Sequence, residues 1–408
     1  MPGEFLGETI LVSIATADVT QSLIDVEGNS YGPEDFIRAL SSFSISTLTS
    51  DQIPLLSSDQ VGAFSDENEQ LIGFSSAQIA RFSGAQVGYF TSDTFSAFRS
   101  AQFVGFGSDQ VAGFVAGQIG ALGSVQIRAL SSGAFSGFET EDLALLGSAQ
   151  TALISSSQFK SLSAAQVGAF APGGFSGFGT GIIRGLSSDQ VAGLTTEQAE
   201  ALSVAQISSF ATEVVSAFET DDLAVLGSSH VAAFGSAQFL AFGSAQLRAF
   251  SAQAFSAIRT ASISVLQSAQ IGGLTTDQSS ALSSTQLGAI SSVSFGGLGT
   301  DNLAVLGSAQ LRLVSSRQLQ SLLGGALSAI SVDALAGITP AALSGLASEQ
   351  VAALTTDQAA VLTSSQIGGF STSGIVGMDT EDVGALTGVQ LSGVTLGQMR
   401  VLRSGQVA

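Results

Sequence analysis

Residues 187–210 read SSDQVAGL, TTEQAEAL, SVAQISSF: three consecutive units of eight. Each opens on Ser or Thr, carries Gln fourth, an apolar or small residue fifth, a small residue seventh and a large apolar residue eighth. The frame extends both ways. From Ser75 to Leu402 it runs unbroken for 41 units; Pro33–Phe64 adds four, and Ser65–Phe74 (SDENEQLIGF) is one unit lengthened by two. Position eight is Leu, Phe, Ile, Val or Met in all 46 units. A short period kept this strictly is the mark of a solenoid, in which each unit packs only on its neighbours and length is not limited by one core.

Positions five and eight have opposite parity, so one face of a strand cannot hold both. A spacing of three suits a helix face, and Gln, Ala and Leu are good helix formers. A continuous helix fails, because eight residues advance about 800° and the apolar stripe would drift by about 80° per unit. The pattern S/T-x-x-Q is a capping box, with the hydroxyl accepting from the third helical N–H and Gln reaching back. Pro172 and Pro340 sit at position two, the first helical position if position one is the cap; the more uniform Ser/Thr of position two leaves it open as the cap instead. The expected fold is an all-α solenoid of short helices, about one and a half turns each, restarted with every octad. Turns this short need packing from neighbours to persist.

A longer period overlies the octad. Units without Gln at position four recur at Phe95, Phe135, Phe175, Val215, Phe255, Phe295, Leu335 and Ile375, at every fifth octad. The simplest reading is five units per superhelical turn, with the Gln-poor units on two sides of it. Acidic units ETEDLALL (139–146), ETDDLAVL (219–226), GTDNLAVL (299–306) and DTEDVGAL (379–386) recur at every tenth octad. Residues 1–32 stand outside the repeat: Glu8–Ala15 (ETILVSIA) reads as a strand and Asp25–Gly32 (DVEGNSYG) as turns. The segment is expected to cap the first coil or to act as an arm, and 33–408 to form the solenoid.

Composition narrows the function. Charged residues make up 11% of the chain, against roughly 25% in ordinary proteins. The net charge is −20 with 12 basic residues, which argues against nucleic acid and anionic membrane surfaces as partners. No apolar run of about 18 residues occurs, so no membrane span is expected. No Lys or Arg precedes Arg38, so a basic secretory leader is not read here; export would need earlier processing or another route.

Candidate sites are few. His230 is the single histidine and there is no cysteine, so a haem or zinc site within one chain is not expected. His230 occupies the Gln position of GSSHVAAF and reads as a substitute bonding to backbone. No serine–histidine–aspartate arrangement or phosphate-binding glycine loop is apparent. The acidic triplets Glu139/Glu141/Asp142, Glu219/Asp221/Asp222 and Asp379/Glu381/Asp382 are the strongest candidates. Their hard oxygens suit weak Ca²⁺ binding; the plainer reading is acids favoured at a helix start. The 28 glutamines at position four either bond between turns or serve only their own caps.

Units such as LTTEQAEALS (194–203) and LTTDQAAVLTSSQ (354–366) resemble the LTTxQ short repeats of large secreted bacterial proteins, often labelled haem-utilisation or adhesion proteins. The similarity covers residues 33–408 and implies a place at or outside the cell surface. Together these readings lead to a structural, non-enzymatic repeat protein that assembles with itself head to tail into a filament, sheath or surface layer. A monomeric surface adhesin or stalk is the alternative, and ice binding through Ser/Thr rows a further one.

Overall fold

The computed structural model describes residues 23–24, 30–65, 69–403 and 406. Contacts divide the chain into two units, Met1–Leu202 and Ser203–Ala408. Among the described residues there are 42 short α-helices and four 3-10 helices, as expected for an all-α solenoid. The expected strand at Glu8–Ala15 lies outside the described residues, as does most of the expected turn at Asp25–Gly32. Leu23–Ile24 and Ser30–Tyr31 form a minimal antiparallel pair, with Leu23 opposite Tyr31 and Ile24 opposite Ser30.

Most octads with Ser or Thr first and Gln fourth build their helix in the same way. In the first unit, Thr195 caps helix Thr196–Ala201. The Gln198 N–H donates to Thr195 Oγ1 at 3.2 Å, and the Thr195 N–H donates to Gln198 Oε1 at 3.1 Å. The helix then stops because Leu202 is extended, with φ −61° and ψ 136°, and its N–H turns back to the Ala199 carbonyl. Ser283 and Gln286 repeat the arrangement in the second unit, at 3.3 and 2.8 Å. Position one is therefore the cap and position two the first helical residue. Pro172 and Pro340 open their helices there, where no intrahelical N–H is needed.

The turn is shorter than the five octads expected. Helix Pro172–Phe175 packs on Thr196–Ala201, and Ala252–Phe255 on Thr276–Ala281; the two helices of each pair start three octads apart. Gln190 donates to carbonyls of the octad that starts at Ser155, four octads before its own start at Ser187. One turn thus takes between three and four octads. The five-octad period is a period of composition only. The angle between successive helices sets the turn, so the Gln-poor octads step around the coil from turn to turn instead of lining two sides.

The core is the axis of each coil. Position five is buried in every octad from Ile37 to Ile375, and position eight is buried alongside it, as at Val191, Leu194, Leu247 and Phe250. Each such side chain contributes about 1.5–3 kcal/mol. Phenylalanines of adjacent octads meet edge to face, as Phe234 and Phe242 do at 5.2 Å and 84°, adding about 0.5–1.5 kcal/mol per pair. Glycine at position seven lets turns approach: a Cβ on Gly113 would overlap the carbonyl oxygen of Gly84.

Candidate functional site

Position four is where one turn grips the last. The glutamine side chain is divided between two tasks. Its Oε1 accepts from the N–H of its own cap, and its Nε2 donates to carbonyls one turn earlier. Gln198 Nε2 reaches the Val167 and Phe170 carbonyls at 3.0 and 2.7 Å. Gln358 Nε2 reaches those of Leu327 and Ile330 at 3.0 and 2.6 Å. These acceptors are positions five and eight of the unit four octads back. The position-eight carbonyl lies outside its helix, so it lacks an intrahelical donor and the amide supplies one. The glutamines thus bond between turns as well as closing their own caps, and the reading in which they serve only their own caps does not hold.

The same geometry explains why glycine is common at position one. At Gly235 the cap has no hydroxyl, yet its N–H still donates to Gln238 Oε1 at 2.7 Å. The half of the capping box carried by glutamine survives without a polar cap residue.

Short polar residues keep the inter-turn bond where glutamine is absent. Thr94 Oγ1 donates to the Phe64 carbonyl at 2.9 Å, Ser294 Oγ to that of Leu266 at 2.7 Å and Asn302 Nδ2 to that of Leu274 at 3.1 Å. His230 fills the slot through its cap, where the Gly227 N–H donates to Nδ1 at 3.4 Å.

The structure splits each acidic triplet. Glu139, Glu141, Glu219, Asp221, Asp379 and Glu381 are exposed, whereas Asp142, Asp222 and Asp382 are buried. The buried member occupies the glutamine slot. Asp142 Oδ2 accepts from the Glu139 N–H at 3.3 Å, and Asp379 Oδ1 caps the Asp382 N–H at 2.8 Å. Among the described residues no three acidic or histidine side chains come together as a metal-holding group.

Burial raises the Asp142 carboxyl, opposed by the Glu139 N–H and aided by the charges of Glu139 and Glu141. Asp382 is likewise raised, first by burial and then by Asp379; the Asp379 N–H and the Thr356 hydroxyl oppose the rise. Glu141 moves the other way, lowered by its own backbone N–H and the Thr140 hydroxyl. Sequence reasoning placed these acids at helix starts but missed that the last of each triplet takes the glutamine slot. Its index within the octad was the available signal.

Four segments of the chain, residues 36–66, 175–212, 215–252 and 239–276, match the ALTTAQ repeat. These four segments carry ALTTAQ-type short repeats. The fold accounts for the letters of that motif. In Leu194–Gln198, Leu194 is the buried position eight of one octad, Thr195 the cap of the next, Thr196 its first helical residue and Gln198 the inter-turn donor. No curated protein matches the chain. Among the described residues no helix is long and apolar enough to cross a membrane.

Proposed function

We propose that this protein is a structural component that assembles with copies of itself outside the cell, as the subunit of a filament, sheath or surface layer. The observation that carries the reading is the turn-to-turn contact itself. It joins buried position-five side chains with glutamine-to-carbonyl bonds, and the pattern recurs in both units. A coil of a second copy stacked on a coil of the first would reuse the same contact. Such a head-to-tail joint does not close and so propagates. The strongly acidic balance keeps unassembled chains apart in solution.

Sedimentation and negative-stain microscopy over a concentration series test the reading. Concentration-dependent fibres or sheets are expected. A protein that stays monomeric at high concentration, with either Ca²⁺ or a chelator present, overturns it.

A further inference from the structure

We propose that residues 323–346 form a release joint, the place where the coil from Gly235 onward opens first. From Gly235 onward this is the one run of three consecutive octads with no hydrogen-bond donor at position four: Ala326, Ala334 and Ala342. All three alanines are buried. The carbonyls that a glutamine there would reach, at position eight of the unit four octads back, are those of Leu298, Leu306 and Val314. None of them receives a hydrogen bond from the described residues. Because a turn takes three to four octads, almost a whole turn is joined to its predecessor by apolar packing alone. The joints on either side are stapled. Gln318 Nε2 donates to the Ile290 carbonyl at 2.8 Å before the gap, and Gln350 Nε2 to that of Leu322 at 2.8 Å after it.

Three further features coincide with the gap. Gly324–Ala329 is a 3-10 helix with no side-chain cap, so it is held less well than the α-helical octads around it. Its flanking Leu323 is 77% exposed. A groove of about 500 Å³, lined by Arg312, Gly337, Ile338, Thr339 and Pro340 among others, runs along the same joint. Parting 323–346 from the turn before it breaks no inter-turn amide bond, and the segment is then held only from the turn after it, by Gln358 and Gln366; parting 347–370 from its own preceding turn breaks two or more bonds for each of Gln350, Gln358 and Gln366. Local opening follows the least-bonded contact. The device gives this stretch of coil a joint that yields before the octads that follow it.

Hydrogen exchange followed by mass spectrometry on the full chain tests this. Amides within 323–346 are expected to exchange at least about tenfold faster than those within 347–370. Introducing the missing donors (A326Q, A334Q and A342Q together) is expected to bring 323–346 down to the rate of its neighbour. The reciprocal set Q350A, Q358A and Q366A, an independent arm should the first variant not fold, is expected to carry fast exchange into 347–370. Uniform protection across 323–370 in the parent chain, or rates that neither set moves, overturns the proposal.

Discussion

Gln278 Nε2 lies 2.8 Å from the carbonyl oxygen of Phe250 and 2.7 Å from that of Leu247, one turn earlier, while its Oε1 accepts from the Thr275 N–H at 3.1 Å. One buried amide therefore closes its own helix and fastens it to the previous turn. Gln278→Ala is expected to cost about 1–3 kcal/mol, because two buried carbonyls and one N–H lose their partner. Gln278→Glu separates the two tasks. Glutamate keeps the acceptor for Thr275 but cannot donate when ionised, so at neutral pH it should lose as much as alanine and recover part of the loss on acidification. Urea unfolding of both variants at two pH values checks this.

A glycine should be irreplaceable only where turns touch. A Cβ on Gly113, at position seven, overlaps the Gly84 backbone, whereas one on Gly147, at position one, meets nothing within 4 Å. Gly113→Ala is expected to destabilise by about 1–3 kcal/mol through overpacking. Gly147→Ser should be neutral or gain a few tenths of a kcal/mol as a better cap. Thermal melts of the two single variants make the comparison.

The buried aspartates predict a pH dependence. Burial places the folded pKa of Asp142 and Asp382 above the ordinary 3.8, so the folded chain holds the proton more tightly than the unfolded chain. Their contribution is complete below about 3.8 and is lost as pH rises through the raised folded value. Asp142→Asn is expected to raise stability at pH 7 by about 1 kcal/mol and to flatten this part of the acid profile. Asn302, in the equivalent slot, already donates to the Leu274 carbonyl. Asp382→Asn should gain less, because the Thr356 hydroxyl already bonds to that carboxylate. Melting temperatures between pH 4 and 8 test both.

The axial core should tolerate truncation poorly. Phe234 is fully buried and meets the rings of Phe239 and Phe242 at 6.0 and 5.2 Å. Phe234→Ala is expected to cost about 3–5 kcal/mol, read as a lowered denaturation midpoint. Phe234→Leu, which matches many other octads at position eight, should cost far less.

The octad itself determined much of this protein. Ser187 and Gln190 specify a helix start, Leu194 the end of the unit, and Val191 with Leu194 the buried stripe, because caps and apolar spacing act within a single octad. Those local signals were sufficient to read short restarted helices and an all-α solenoid. The number of octads in a turn was not legible. It depends on the angle between successive helices, which packing between turns decides, and the five-octad rhythm of composition pointed elsewhere. Tertiary structure alone showed that Gln190 reaches the Leu162 carbonyl and that the slot Asp142 holds by its index is buried. It also showed that the carbonyls of Leu298, Leu306 and Val314, four octads before the octads of Ala326, Ala334 and Ala342, receive no hydrogen bond from the described residues. Each of these facts concerns a contact with the turn before, several octads away in the chain, and a pattern confined to one octad carries no record of such a distance.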